Sequence, residues 1–301
     1  GVGDHAPARH ALANWLGVIL DRSGRYDEAV ATWLQPHAEQ AERMMPLPAP
    51  TAQQAGWAVP APVVQDAGET APATGRQAFL YGPPGSGVEQ LAATLVGVLK
   101  AFTSDRLGDR PPQDLLQNIH TVPQLTDGTL APAQVIASWR EHLPHRGGDE
   151  AQVIDWLPIW DNALLPVFAE GLPAAALLFA LRDPRDMLLD WIAFGAPVPF
   201  KLSPLNASAR WLADHLAQIA FVIDSARPGC RVLRTDDLLG DPERIADVLG
   251  AALETRLPAP SMQRLGQPRL PAGHWRRYAD TLAEPFAALT PIAVRLGYSE
   301  H

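Results

Sequence analysis

The sequence predicts an α/β protein in which a mostly parallel β-sheet is flanked by helices and preceded by an α-helical hairpin. From residue 76 onward, short apolar runs alternate with helical runs, which is typical of a parallel sheet covered on both faces. An apolar run ending at Tyr81 enters a Gly/Pro loop, and a helix is expected to begin near Val88. The first 45 residues carry apolar positions at helical spacing around a glycine turn.

The N-terminal segment, residues 1–45, predicts two antiparallel helices. The break between them falls at Gly24, and the apolar positions on either side are Ala11, Trp15, Leu16, Ile19, Leu20, Tyr26, Ala29, Val30 and Trp33. Their spacing resembles one tetratricopeptide repeat, although a generic helical hairpin is the alternative. A single repeat cannot bury its own face, so we expect it either to pack on the rest of the chain or to follow further repeats upstream of Gly1.

Residues 46–75 are rich in Pro and Ala and predict an extended linker that Trp57, Val63 and Val64 would pin to a neighbouring surface. Residues 76–301 form the predicted α/β domain. Within it, strands are expected over 77–81, 152–155, 175–181 and 230–234. Helices are expected over 88–102, 132–143, 160–170, 184–194, 206–226, 242–253 and 275–296. The polar stretch 103–130 is predicted to be a loop on the substrate side.

Composition narrows the classes of partner and compartment. The 301 residues have a formal net charge of -9, which favours neither nucleic acid nor an anionic membrane as a partner. No apolar run is long enough to span a bilayer. Cys230 is the single cysteine, so we expect a reducing, cytoplasmic compartment. No grouping of Cys and His indicates a metal site.

The loop Gly82–Gly87 is the strongest local signal of function. Loop amides and the positive end of the following helix would point at one spot, which is the arrangement of an anion site. A nucleotide-triphosphate loop continues with Lys and then Ser or Thr, but this chain has Val88 and Glu89 in those places. A degenerate nucleotide-binding loop therefore remains one interpretation.

Three further segments occur in an informative order: Arg182–Asp186 at a strand end, Thr235–Glu243 after a strand, and Gly273–Tyr278 at the start of the last helix. Together with the loop, this series resembles the sulfotransferases that use 3′-phosphoadenosine 5′-phosphosulfate. The bacterial branch with tetratricopeptide repeats in front is the most similar group. The resemblance covers nearly the whole chain, and it implies the sulfotransferase fold and this nucleotide as co-substrate.

The resemblance also implies roles for individual positions. The loop residues Pro84, Gly85, Ser86, Gly87 and Val88 would surround the 5′-phosphosulfate. Arg182 and the residue at position 190 would hold the 3′-phosphate, and position 156 would place a Lys in the nucleotide site. Pro84, Ser86, Gly87, Arg182, Asp155 and Pro158 match the family pattern.

The departures fall on the donor site. Gly85 replaces a basic residue, Val88 and Glu89 replace two threonines, Trp156 replaces the Lys, and Asp190 replaces a Ser. Glu89 and Asp190 would each bring a negative charge to a place where a phosphate is expected. Compensating cations would have to come from elsewhere, and the candidates are Arg110, Arg185, Arg210 and Arg269.

A general base is expected a couple of dozen residues beyond the loop, by analogy with the family. Asp105 and Asp109 lie in that window, and His120, His142 and His145 follow. Each is also a residue type that commonly lies solvated at a surface.

Three functions therefore stay open. The first is an active sulfotransferase that acts on a hydroxyl or amine. The second is a catalytically inactive relative that works as a binding or assembly module, with a protein partner on the helical repeat and a homo-oligomer as a further alternative. The third is a degenerate phosphate-loop nucleotide-binding protein.

Overall fold

A computed structural model describes residues 6–52, 76–202, 204–226, 229–266 and 269–301. The sheet has five strands in the order β2-β3-β1-β4-β5, and every neighbouring pair is parallel. The strands are β1 (Arg76–Tyr81), β2 (Phe102–Thr103), β3 (Gln152–Trp156), β4 (Ala176–Leu181) and β5 (Cys230–Arg234). The predicted α/β class with a parallel sheet is confirmed.

The described α-helices are α1 (Ala6–Arg22), α2 (Tyr26–Glu39), α3 (Val88–Leu95), α4 (Thr121–Asp127), α5 (Pro132–His142), α6 (Leu165–Gly171), α7 (Pro184–Phe194), α8 (Leu205–Asp224), α9 (Pro242–Ala252), α10 (Met262–Leu265) and α11 (Ala283–Arg295). None of the helices in the described ranges is long and apolar enough to cross a membrane.

Alternation along β1 explains how the sheet is covered. Phe79 and Tyr81 enter a core shared with the hairpin, α5, α6, α7, α8 and α11, whereas Ala78 and Leu80 enter a second core under α3 and α9. Successive side chains of a strand point to opposite faces, so one apolar run supplies both cores. Helices therefore cover both faces of the sheet.

Four predicted elements differ from the observed ones. The helix expected over 160–170 begins at Leu165, after a 3-10 turn over Asn162–Leu164. The helix expected over 88–102 ends at Leu95, because the chain turns at Gly97 with φ +70° and then forms the short strand β2. The stretch expected to be a loop over 103–130 contains α4 and two 3-10 turns. The last predicted helix is divided into a 3-10 helix over His274–Tyr278 and α11.

The predicted helical hairpin is present and packs on the α/β part. A Cβ atom on Gly17 would lie 2.0 Å from Trp33 Nε1, so only glycine allows α1 and α2 to approach this closely. Asp21 accepts hydrogen bonds from His274 Nε2 and Tyr278 Oη, at 2.7 and 2.8 Å. His37 Nε2 lies 3.0 Å from the carbonyl oxygen of Ile192 on α7. The hairpin thus buries its inner face against the rest of the chain.

The first residues of the predicted linker form a strap over the same side of the molecule. Met45 exchanges backbone hydrogen bonds with the segment 199–201, and Trp211 Nε1 donates to Pro48 O at 2.6 Å. The proposed anchors Trp57, Val63 and Val64 lie outside the described residues. The domain boundaries at residues 45 and 75 stay a prediction.

Candidate functional site

The loop Gly82–Gly87 follows the central strand β1, whose two neighbours are β3 and β4. Because β3 and β4 lie on opposite sides of β1, the carboxyl end of β1 is a switch point of the sheet. Open α/β folds bind their ligands at such a point. Ser86 is fully buried, and its carbonyl oxygen accepts a hydrogen bond from Thr235 Oγ1 at 2.6 Å. Two segments of the predicted series, the loop and the residues after β5, are therefore in contact.

Gly85 lies where the resemblance implies a basic side chain. Its φ is +75°, and a Cβ atom built on it would lie 1.9 Å from the carbonyl oxygen of Met187 on α7. No side chain fits at this position unless the loop or α7 moves. Replacement of the basic residue by glycine therefore goes together with tight packing of the loop on α7.

The chain's own Glu89 occupies the start of helix α3. Its carboxylate lies 3.5 Å from Arg269 Nη2, and it interacts with its own backbone N–H in the first helical turn. Burial raises the pKa of Glu89, while Arg269 acts in the opposite direction. An acidic side chain thus lies at the positive end of the helix, where the resemblance implies phosphosulfate.

Arg182 is completely buried at the end of β4. Its Nη2 donates to the carbonyl oxygen of Leu270, and its Nη1 lies 3.6 Å from Asp190 Oδ1. Arg182 Nε and Nη1 have no hydrogen-bond partner among the described residues. Asp190 also accepts from Arg269 Nη1 at 3.2 Å, and burial raises its pKa despite both arginines.

Asp186 anchors the segment that follows Leu270, the residue whose carbonyl oxygen contacts Arg182. Its two carboxylate oxygens accept from the backbone N–H groups of Gly273 and Trp275, at 2.6 and 2.8 Å. Burial raises the pKa of Asp186 to about 6, although Arg182 lowers it. We call the group Arg182, Arg269, Glu89, Asp186 and Asp190 the Arg182 cluster.

Trp156, at the position of the expected Lys, is half-buried at the end of β3. Its ring stacks on Phe102 with centroids 6.5 Å apart. Together with Gly82, Pro84 and Phe200 it lines a cleft beside the loop whose cavity volume is about 10 Å³. That is the space of about one water molecule. The cleft at the sheet edge is thus nearly filled.

Asp155, which matches the family pattern, is fully buried one residue before the end of β3. It accepts hydrogen bonds from Arg106, Arg146, Thr103 Oγ1 and Trp139 Nε1. Arg106 also makes a two-pronged contact with Asp114, and Arg146 does so with Asp105. Burial alone would raise the pKa of Asp155, but the two arginines outweigh it and lower the pKa to about 2. We call Arg106, Arg146, Asp105, Asp114 and Asp155 the Asp155 cluster.

The candidate bases do not gather at the loop in any contact that the structure shows. Asp105 pairs with Arg146 at 2.7 Å, and Asp109 is exposed. His142 Nδ1 lies 2.8 Å from Ser138 O, whereas His120 and His145 are exposed. A catalytic role for Asp105 or Asp109 stays a prediction.

Of the four arginines named as compensating cations, Arg269 reaches the site. Arg185 pairs with Asp183 and donates to Ser299 O and Glu300 O, and Arg110 and Arg210 are exposed. Sequence reasoning named the segment Arg182–Asp186 but assigned no role to Asp186 itself. It also missed Arg106, Arg146 and Asp114. Within the described ranges, no group of three or more His, Cys, Asp or Glu side chains is placed to hold a metal ion.

The solved structures to which the chain is similar include the sulfotransferase domain of the olefin synthase from Synechococcus PCC 7002. The two are 15% identical, the match covers 74% of this chain and 95% of that domain, and the TM-score is 0.46. No protein-family model matches the chain. No curated protein matches it either.

Proposed function

We propose that this chain is a sulfotransferase-fold protein that acts as a binding module and does not transfer sulfuryl groups. One observation carries the proposal: the chain's own side chains occupy the positions where the resemblance implies donor phosphates. Asp190 pairs with Arg182 and Arg269, and Glu89 lies at the start of α3 beside Arg269.

Charge supports this proposal. The family implies a basic pocket for a nucleotide with two phosphate groups, but here Arg182 and Arg269 face Glu89, Asp186 and Asp190. A phosphate placed about 4 Å from an ionised carboxylate costs on the order of 1 to 4 kcal/mol in partly solvated surroundings. Each charge-assisted bond lost at positions 85 and 156 removes about 1.5 to 3 kcal/mol more.

Space supports it as well. The segment that contains Leu270 covers Arg182, and Asp186 anchors that segment. A nucleotide phosphate could reach Arg182 only after that segment had moved away from the end of β4. The cleft of about 10 Å³ beside Trp156 holds no nucleotide ring either.

Calorimetric titration with 3′-phosphoadenosine 5′-phosphate tests the proposal. We expect no heat of binding from the wild-type chain at about millimolar nucleotide, which corresponds to a binding free energy weaker than about -4 kcal/mol. The double variant Glu89→Thr, Asp190→Ser restores residues that the family uses, and we expect it to bind at least about tenfold more tightly than wild type.

The matched control replaces two exposed acids on other helices, Glu141→Thr on α5 and Asp247→Ser on α9. We expect this control to bind as weakly as wild type. Micromolar binding by the wild type that disappears in Arg182→Ala would contradict the proposal and favour an active enzyme.

An active sulfotransferase is the second candidate, and Arg182 favours it. Its Nε and Nη1 lack partners among the described residues, and a buried guanidinium with free donors suits a phosphate ligand. In that case 3′-phosphoadenosine 5′-phosphosulfate is the co-substrate and a hydroxyl or amine is the acceptor. Transfer of labelled sulfate from this donor by the wild type, but not by Arg182→Ala, would support it.

The helical hairpin is the proposed contact surface for a protein partner or a second copy. Leu12, Trp15, Leu16 and Ile19 lie at i, i+3, i+4 and i+7 along α1 and are 50–69% exposed. Such a stripe matches the spacing of helix-in-groove recognition. Analytical ultracentrifugation tests the second copy: the wild type should self-associate and Trp15→Glu should not. Identical monomeric sedimentation of both would exclude this surface as the site of self-association.

A further inference from the structure

A large cavity lies beneath the strap, and its lining does not include the loop. Its volume is about 720 Å³, and its walls are the strap Met45–Thr51, the segment Leu116–Asp127, and the side chains of Trp160, Leu164 and Phe200. Among the described residues, only Phe200 also lines the small cleft beside the loop. The cavity is therefore a separate space, and its size is in the range of about 300 to 1,000 Å³ that is usual for small-molecule sites.

The strap forms a fixed wall. Thr51 N donates to Asp161 Oδ2 at 2.9 Å, and Gln218 Nε2 donates to Thr51 O at 3.0 Å. Trp211 Nε1 holds the middle of the strap through Pro48 O. Because the protein's own hydrogen bonds hold the strap, a ligand would enter a cavity with a fixed wall and lose little affinity to ordering of the strap.

Polar side chains on the lining are already bonded within the protein. Asp161 accepts from Ala163 N, Thr51 N and Gln218 Nε2. Gln117 bridges Ile159 N and Leu116 O. Thus the groups that could have fixed a polar ligand are largely engaged, and Met, Leu, Pro, Ile and aromatic side chains dominate the remaining lining.

His215 does not make the cavity cationic. Its Nε2 lies 2.5 Å from Tyr81 Oη, and the Trp211 ring stacks on it with centroids 5.0 Å apart. Burial lowers the pKa of His215 to about 4, so the imidazole is neutral at physiological pH.

The charges that do face the cavity are negative. Asp127 and Asp161 are the ionisable acids on the lining, and no Lys or Arg belongs to it within the described ranges. An anion would enter an apolar space beside two carboxylates with no cation to pair with, and its desolvation would be uncompensated.

We propose that the cavity beneath the strap binds one uncharged, apolar small molecule and excludes anions, including fatty acids and phosphate or sulfate esters. This inference rests on the proposed binding function, because it names the class of ligand that such a module would take. It concerns a different cavity from the nucleotide site, so the two can fail separately.

A matched pair of fluorescent probes tests the proposal on the whole chain. N-phenyl-naphthylamine is neutral, and anilinonaphthalene sulfonate carries the same ring system with one negative charge. We expect the neutral probe to bind at one per chain and the sulfonate to bind at least about tenfold more weakly. Equal or tighter binding of the sulfonate would overturn the proposal.

Two variants locate the binding. Ala49 on the strap and Thr126 on α4 face the cavity from opposite walls, and Ala49→Trp or Thr126→Trp should each lower affinity for the neutral probe about tenfold or more. The matched control is Ala31→Trp, at an exposed position on α2, which should bind like wild type. Binding that survives both cavity variants would overturn the proposal.

A third variant tests the exclusion of anions. Asp127 is exposed at the rim of the cavity, so Asp127→Lys is expected to fold like wild type. It should lower the ratio of neutral-probe affinity to sulfonate affinity about tenfold, since it replaces a charge that repels the sulfonate by one that attracts it. An unchanged ratio would contradict electrostatic exclusion.

Excess 3′-phosphoadenosine 5′-phosphate should not displace the neutral probe. Displacement would place the probe in the nucleotide site and would overturn the inference, whatever the nucleotide titration shows.

Discussion

The Asp155 cluster and the Arg182 cluster have the same charged composition and opposite electrostatics. Each combines two arginines with three acidic side chains near one end of the sheet. In the Asp155 cluster the pKa of the central acid is lowered, to about 2. In the Arg182 cluster the pKa of every acid is raised, although the same number of cations is present.

Hydrogen-bond geometry accounts for the difference. Arg106 and Arg146 make paired, in-plane contacts with carboxylates, and the carboxylate of Asp155 accepts from both. In the Arg182 cluster, Arg182 Nε and Nη1 and Glu89 Oε2 lack described partners, and the Arg182–Asp190 contact is 3.6 Å long. Burial disfavours the charged form of an acid unless close, paired contacts with cations outweigh it.

The difference in pairing distinguishes a cluster that stabilises the fold from a cluster with the features of a binding site. A buried network whose groups are all paired fixes a fold, whereas buried groups without partners are typical of a place where a ligand binds or once bound. The Arg182 cluster lies at the switch point of the sheet, next to the loop. Its incomplete pairing therefore supports the proposal that the chain's own acids occupy the place of a donor anion.

Breaking the Asp155 cluster should have the largest effect on stability. Asp155→Ala removes the carboxylate to which both Arg106 and Arg146 donate and leaves buried guanidinium N–H groups without an acceptor, and removal of one partner from such a network costs about 3 to 5 kcal/mol. Urea unfolding followed by circular dichroism measures this loss as a fall in the midpoint at constant slope.

The control for this prediction is Asp105→Asn in the same cluster. Its side chain is 37% exposed, and pairs of that kind contribute about 0 to 1 kcal/mol. If Asp155→Ala lowered the free energy of unfolding no more than Asp105→Asn, the view that the Asp155 cluster stabilises the fold would be wrong.

The pH dependence of stability should have opposite signs in the two clusters. The folded pKa of Asp155 lies below its unfolded value, so its contribution is present above about pH 4 and is lost as the pH falls towards 2. The folded pKa of Asp186 is about 6, above its unfolded value, so its contribution is present below about pH 4 and is lost as the pH rises through 6.

Asp186→Asn isolates the second of these effects. A shift of about two pKa units corresponds to about 2 to 3 kcal/mol, so wild type should lose about that much relative to the variant between pH 4 and 6.5. Urea midpoints of both proteins across this range measure the difference. Parallel pH profiles would show that Asp186 does not titrate abnormally.

The alternation of strands and helices made most of the fold predictable from the sequence. Strands β1, β3, β4 and β5 and helix α7 were predicted within one residue, because their apolar runs are bounded by clear turn residues or an Asp cap. The two-residue strand β2 was missed, since so short an edge strand carries no periodicity of its own.

The site was predictable only in part. The loop and Arg182 could be placed from sequence, since each follows a predicted strand and the carboxyl ends of parallel strands share one edge. Asp190 was assigned to the same site through the resemblance alone. The pairing between Asp190 and Arg269 could not be predicted, because 78 intervening positions separate residues that meet only after folding. The sequence also gave no sign that Gly85 is packed against Met187 O, since that contact depends on the position of α7.

Replacing the central arginine of the Arg182 cluster should have the smallest effect on stability. Arg182→Met keeps the volume and removes a guanidinium whose Nε and Nη1 have no described partner. Loss of its hydrogen bond to Leu270 O and of its attraction to Asp190 costs about 1.5 to 3 kcal/mol, and removal of two unpaired buried donors returns a similar amount. Asp190 keeps Arg269 as a partner. We therefore expect a free energy of unfolding, measured by urea, within about 1 kcal/mol of wild type. A loss as large as that of Asp155→Ala would mean that Arg182 is as fully paired as Arg106, and the distinction between the two clusters would fail.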